Sequence, residues 1–198
     1  MALQIEEKPT GSMAVVERKK DWVVLVLRVV AFLATAAATL VMALNKQTIT
    51  LVVATIGNTP IKASLTAKFQ HTPAFVFFVV ANSMVSFHNL LMIAVNIFAH
   101  KFDYKGLGLV TVAILDMANV GLVSGGVNAA VFMAELGKNG NDHARWNKIC
   151  DKFESFCNQG AGALIASFIG LALMLIISSI SITKLVKLKS THLQLAQP

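Results

Sequence analysis

Four apolar stretches, each long enough to cross a bilayer, constrain this chain more than any other feature. They run over about 22–44, 73–99, 106–134 and 160–183. A hydrocarbon core of roughly 30 Å needs about 20 apolar residues in helical form. The chain is 56% hydrophobic and only 14% charged, against about a quarter charged in ordinary soluble domains. The expected fold is therefore all-α, a four-helix transmembrane bundle in a single membrane domain over 22–183.

The remaining segments read as tails and loops. Residues 1–21 are polar and mixed in charge, and are expected to form a disordered cytoplasmic tail. The stretch from Trp22 is too long for a signal-peptide core and lacks a cleavage pattern, so it reads as a retained helix. The first outer loop, 45–72, contains the β-branched run Thr48 to Ile56, which suits an extended strand. Pro73 suits the first turn of the second helix. The short charged turn His100 to Lys105 makes helices two and three antiparallel neighbours. The second outer loop is 135–159, and 184–198 forms a C-terminal tail.

Four spans place both termini on one side. Arg18, Lys19, Lys20, Lys101, Lys105, Lys184, Lys187 and Lys189 crowd the helix ends on that side, whereas the basic residues of the two long loops are dispersed. Positive charge abutting helix ends marks the cytoplasm. The net charge of +7 is accordingly read as topology signal and lipid-headgroup contact. Nucleic acid is not an expected partner, since no groove-reading helix, finger or aromatic-basic sheet motif accompanies the charge.

Two opposite charges lie inside the apolar stretches, Arg28 in the first and Asp116 in the third. An unpaired charge near mid-bilayer costs about 2.5–3.5 kcal/mol even on lenient scales. Pairing the two across a helix contact removes most of that cost. Arg28 alone can instead snorkel to the surface, but the short Asp116 side chain cannot. Thr35 and Thr39 share the Arg28 stripe, with Ala31 and Ala38 beside it. Asn82, Ser86, Asn89 and Asn96 share one face of the second helix. Such groups serve as glue between helices or line a solute path. His88 lies alone in that helix and is expected to be a polar packing residue.

Small residues supply candidate packing seams. Helix three carries Gly121-x-x-x-Gly125 with Asn128 on the same face, nearly opposite Asp116. Helix four carries Gly162, Ala166 and Gly170 at four-residue spacing. Either seam allows close backbone approach, and the Gly121 face would be free for another subunit. Cys150 and Cys157 share the second outer loop. In an oxidising space they would close a short disulfide loop; the alternative is two free thiols. Nothing resembles a catalytic motif, a metal-ligand set or a phosphate loop, so neither enzyme activity nor a cofactor is expected.

The chain resembles the plant Casparian strip membrane protein-like (CASP-like) family, related to MARVEL-type four-span proteins. The resemblance rests on Ala67 to Asn82 entering helix two, Val112-Ala-Ile-Leu-Asp116 in helix three, and Phe132 to Gly140 leading to Trp146 and the cysteines. It spans nearly all of 22–185 and looks closest to subfamily 1, group E. It implies a MARVEL-like, multi-pass plasma-membrane protein with cytoplasmic termini that forms homo- and hetero-oligomers. In the founding members, such assemblies restrict lateral diffusion and recruit wall-modifying enzymes. The family's intramembrane charges map onto Arg28 and Asp116, and its loop cysteines onto Cys150 and Cys157. The first outer loop departs from the acidic, aromatic-rich signature of true Casparian strip members. The leading expectation is a non-enzymatic scaffold. A small channel or transporter component is the rival, and a claudin-like junction protein, which carries its cysteine pair in the first outer loop, is a third.

Overall fold

The computed structural model describes residues 11–98 and 107–195, with side-chain surroundings from Trp22 to Phe98 and from 108 to Ser190. In chain order it contains α1 (Gly11–Leu44), the strands β1 (Lys46–Ile56) and β2 (Thr59–Lys68), a 3-10 turn (Phe69–His71), α2 (Pro73–Phe98), α3 (Leu107–Asn139) and α4 (Glu154–Leu195). Each of the four α-helices contains a stretch long and apolar enough to cross a membrane. The turn 100–105, the last residue of the second span and the first of the third lie outside the described residues.

Helix bounds differ from those read off hydropathy wherever polar residues extend a helix beyond the apolar run. α1 begins at Gly11, so half of the tail expected to be disordered is helical. α3 continues to Asn139 and α4 starts at Glu154, which shortens the second loop at both ends. α4 also carries on through the expected C-terminal tail to Leu195. Hydropathy locates what lipid must cover, whereas backbone bonding and capping decide where a helix stops. At Asn139 the stop is local: Gly140 adopts φ +69° and its N–H bonds to the Leu136 carbonyl at 2.8 Å. That is a left-handed C-terminal cap. A Cβ at Gly140 would lie 2.7 Å from the Trp146 carbonyl oxygen.

The bundle is held by a repeat of alternating three- and four-residue steps. In α1 the buried positions are Arg28, Ala31, Thr35, Ala38 and Met42, and the stripe ends at Asn45 just beyond the helix. In α2 they include Phe75, Phe78, Asn82, Val85 and Asn89; in α3, Ala113, Asp116, Val123, Val127 and Ala130. In α4, Ala163, Ser167, Met174, Ile177 and Ser181 follow the same steps. A seam of period about 3.5 is that of left-handed bundles. Leu33, Leu40, Phe87, Met117, Phe132 and Ile165 point away from it, as a lipid-facing surface requires. α1 packs on α2 and α4, and so does α3, which sets α1 diagonally opposite α3.

The extended segment expected around Thr48–Ile56 is one arm of an antiparallel hairpin. β1 pairs with β2 from Lys46↔Lys68 to Ile56↔Thr59, with an irregularity between Val52 and Ala54. Gly57 has φ +61°, suiting the first position of a two-residue type II′ loop. The hairpin's base is fastened to α4. Asn45 Nδ2 donates to the Phe156 carbonyl at 2.7 Å, and the Phe156 N–H donates to Gln47 Oε1 at 2.8 Å. Ile49 and Ala67 pack on the apolar cluster that includes Met42, Phe75, Phe153 and Phe156. Beyond them Val52, Val53, Ile56 and Ile61 are exposed.

Close helix contacts use one of the glycines that the small-residue motifs suggested, Gly170, and one that they did not, Gly126. A Cβ on Gly126 would sit 2.8 Å from Ala81 Cβ, and one on Gly170 would sit 2.6 Å from Thr35 Cγ2. Those are the close approaches of α3 to α2 and of α4 to α1. Gly121 and Gly162 have open space where a side chain would go, and Gly125 faces only the Phe77 ring at 3.6 Å. Ala166 is half-buried against the core. Thus Gly170 is the tight-packing member of its expected seam, while Gly162 points outward.

Gly126→Ala and Gly170→Ala should each destabilise the detergent-purified protein by about 1–3 kcal/mol through overpacking. Gly121→Ala and Gly162→Ala should stay within about 0.5 kcal/mol of the parent. Equilibrium unfolding in mixed micelles reads the difference.

Candidate functional site

The residue that organises the interior is Asp116, fully buried in α3. Its carboxylate accepts hydrogen bonds from the other three helices. From α1, Arg28 grips it with both guanidinium ends, Nη1 to Oδ1 at 3.0 Å and Nη2 to Oδ2 at 2.7 Å. From α2, His88 Nε2 lies 2.9 Å from Oδ1. From α4, Ser181 Oγ donates to Oδ2 at 2.8 Å. An ionised carboxylate has only acceptors, so Nε2 is a protonated nitrogen of the His88 ring. Two charge-assisted bonds in a bidentate fork are the strongest geometry available to such a pair.

The structure therefore brings Arg28 and Asp116 together, but not between adjoining helices. α1 and α3 lie on the bundle diagonal, and the long Arg28 side chain reaches across it. His88 and Ser181 complete the shell from the two flanking helices. Sequence reasoning missed both. His88 was read as packing alone, although it is the one histidine within an apolar stretch and lies at a depth comparable with Asp116. A serine in a membrane helix gives no signal of its own, and Ser181 stands out only as the continuation of the buried three-four repeat through Ser167, Met174 and Ile177.

Further from the termini, the stripe on α2 divides by burial. Asn82 and Asn89 are fully buried, Ser86 nearly so, and Asn96 is exposed. Asn82 Nδ2 donates to the Phe78 carbonyl at 3.0 Å while its Oδ1 accepts from Ser167 Oγ at 2.9 Å. Asn89 Nδ2 bonds to the Val85 carbonyl at 2.9 Å and approaches Met174 Sδ at 3.1 Å. Its Oδ1 has no partner among the described residues. Thr35 and Thr39 bond back to their own helix, to the carbonyls of Ala31 and Thr35. The Asn82 and Asn89 contacts stitch α2 to α4, while those of the two threonines stay within α1.

On the side of the node toward the termini, a cavity of about 270 Å³ is lined by residues of all four helices, including Val24, Arg28, Asn96, Val112, Ser181 and Lys184. On its other side, Ala31, Val85, Val123, Met174 and Ile177 fill the cross-section with no exposed surface. The node is thus open to a pocket on one side and sealed by apolar side chains on the other.

At the far end Cys150 and Cys157 form a disulfide. The bond ties the loop to the first turn of α4. The Ile149 and Cys150 N–H groups both reach the Gly137 carbonyl, at 2.8 and 3.1 Å, joining the same loop to α3. Asn141 and Trp146 exchange two backbone bonds of 2.9 Å. Among the described residues no group of three or more His, Cys, Asp and Glu could hold a metal ion.

The fold and the node define a four-span membrane protein whose helices meet on one buried carboxylate. The chain matches the Casparian strip membrane protein domain over residues 17–173 and belongs to that family, in its CASP-like protein 1B branch in plants. It is 70% identical over 186 residues to CASP-like protein 1B1 of Populus trichocarpa, covering 93% of this chain and 95% of that protein. To CASP-like protein 1B2 of the same organism it is 69% identical over 186 residues, covering 93% and 94%. To CASP-like protein 1B2 of Arabidopsis thaliana it is 66% identical over 167 residues, covering 84% and 85%. These relatives carry the letter B, where the sequence reading had expected group E. No solved structure matches the chain significantly.

Asp116→Ala should cost about 3–5 kcal/mol, since it strands the buried Arg28 charge. Combining it with Arg28→Ala should recover part of that loss. His88→Ala and Ser181→Ala should each cost about 0.6–2 kcal/mol, the range for hydrogen bonds between membrane helices. Unfolding free energies in a double-mutant cycle measure these terms, and additive losses for Arg28 and Asp116 would contradict the pair.

Proposed function

We propose that this protein is a non-enzymatic scaffold of the plasma membrane, with both termini cytoplasmic. In this reading copies associate with one another and with related four-span proteins to organise a membrane domain. The hairpin and the disulfide-closed loop then stand on the outer side, where they offer binding surface to partners that modify the wall. Family membership supports the reading, as does the asymmetric crowding of basic residues at the end bearing the termini.

The observation that carries it is the sealed interior next to the node. A channel or transporter using Arg28 and Asp116 would need a polar route past them. Ala31, Val85, Val123, Met174 and Ile177 close the section instead. The bonds of Asp116 are all spent on joining helices, which suits a rigid bundle whose outer faces do the work. Of those faces, the one bearing Gly121 and Gly125 is exposed in the single chain, and its small residues suit close approach by a second helix.

Fluorescence recovery after bleaching of a tagged chain at the plasma membrane tests the scaffold. Slow, incomplete recovery within patches is expected, whereas complete recovery at the rate of a free four-span protein would contradict it. Gly121→Leu and Gly125→Leu should shift the oligomer distribution toward monomer by about tenfold in dissociation constant, roughly 1.4 kcal/mol. Mass photometry or cross-linking in native membranes reads that shift, and unchanged stoichiometry would rule out this seam as the joint.

A further inference from the structure

The two faces of the β1–β2 hairpin differ in chemistry, and neither the family match nor the scaffold reading assigns a ligand to the outward one. Strand alternation puts Gln47 and Ile49 of β1 with Ala67 of β2 on the face against the bundle. Gln47 bonds to α4 there, and Ile49 and Ala67 pack on the apolar cluster. The opposite face carries the even-numbered positions. At its base Lys46 stands directly across from Lys68, and nearer the turn Lys62 stands across from Val52. Between them run two cross-strand hydroxyl pairs, Thr48 with Thr66 at 3.0 Å and Thr50 with Ser64 at 3.5 Å.

Like charges directly opposite each other on a sheet are destabilising. Residues 45–72 hold no aspartate or glutamate that could offset the Lys46 and Lys68 pair. Among the described residues no ion pair or hydrogen bond engages the Lys46, Lys62 or Lys68 ammonium group. The second outer loop is different: over 135–159 Glu135, Asp142, Asp151 and Glu154 balance four basic residues. Excess positive charge in the two outer loops is therefore concentrated on the hairpin. From Lys62 to Lys68 the face spans about 20 Å, twice the screening length in dilute physiological salt. One small anion cannot serve both ends, so the matching ligand is an extended polyanion. Each hydroxyl pair spends one proton on its own bond and keeps a second donor and free lone pairs. A ligand with hydroxyl groups between its charges uses both.

We propose that the outward face of the hairpin binds a linear acidic polysaccharide, with Lys46, Lys62 and Lys68 on its carboxylates and the threonine–serine ladder on its hydroxyls. The ligand lies along the strands, and its charge relieves the repulsion between Lys46 and Lys68. The face turns away from the helix ends on which the hairpin sits, so its ligand comes from the surrounding solution and not from the bilayer. The inference rests on the outer placement of the hairpin proposed above and is independent of self-association.

The test uses the full chain in phosphatidylcholine nanodiscs with polygalacturonate as the probe, and biolayer interferometry reads binding over a salt series. Saturable binding that weakens as salt rises is expected. Lys46→Gln, Lys62→Gln and Lys68→Gln together should weaken it about tenfold, the combined worth of three exposed ion pairs. The same charge removed as Lys138→Gln, Lys148→Gln and Lys152→Gln should leave it nearly unchanged. Thr48→Val with Thr66→Val keeps every charge and suits a strand, yet should weaken binding by removing hydroxyl partners. Thermal unfolding confirms that each variant is folded. Absence of saturable binding, or equal losses from the two lysine sets, overturns the proposal. Polyglutamate bound as tightly as polygalacturonate, or unchanged binding by the double valine variant, overturns the assignment to a carbohydrate. Labelling of Ala54→Cys by an impermeant maleimide on intact cells reads the outer placement separately. An unlabelled cysteine overturns that placement, and with it the polysaccharide as ligand, even where the purified protein binds. A labelled cysteine without polymer binding overturns the binding face alone.

Discussion

A carboxylate inside a lipid-embedded bundle must be satisfied from within, because neither hydrocarbon nor a packed apolar core offers it a donor. Here Asp116 is served by Arg28, His88 and Ser181, so every one of the four helices contributes a side chain to a single point. Apolar contact does little to draw helices together in lipid, where the tails are as apolar as leucine. Directional bonds and close backbone approach must then specify the arrangement. The Asp116 node does the first, and Gly126 against Ala81 and Gly170 against Thr35 do the second. The diagonal placement of Arg28 and Asp116 follows from this: a long side chain crosses the bundle centre while the flanking helices close the shell.

The bundle's two ends are built for different tasks. Toward the hairpin, Asn45, Gln47 and Phe156 fasten the loops to the helices, and the Cys150–Cys157 bond pins the second loop to α4. Both loops are thus tied to the spans at their bases. Toward the termini, helices part around a cavity bordered by Arg28 and Ser181, so that its roof is the node. Between the two ends, Ala31, Val85, Val123, Met174 and Ile177 form a fully buried apolar layer.

Much of this was legible in the sequence, and the gaps have physical reasons. Four spans were evident because lipid demands long uninterrupted apolar runs. Arg28 and Asp116 stood out because an intramembrane charge is costly enough to need an explanation. His88 and Ser181 escaped because neither is anomalous in a membrane helix, and their role exists only once four helices set them at one level. The glycines show the same limit. Gly121-x-x-x-Gly125 and Gly162 have the spacing of a seam, yet only burial distinguishes a contact within the chain from an outward face. Gly126, one residue along, makes the close contact. The helical extension of α1 back to Gly11 was hidden because charged residues can continue a helix beyond the membrane without any apolar signal.

The central claim is that Asp116 joins all four helices through direct side-chain bonds. Solid-state NMR of the labelled protein in bilayers tests it most directly, through nitrogen–carbon correlations to the Asp116 carboxyl carbon. The account predicts cross-peaks from both terminal Arg28 guanidinium nitrogens and from His88 Nε2 to that carbon. Arg28 nitrogens with no correlation to Asp116 and rapid exchange with water would contradict it.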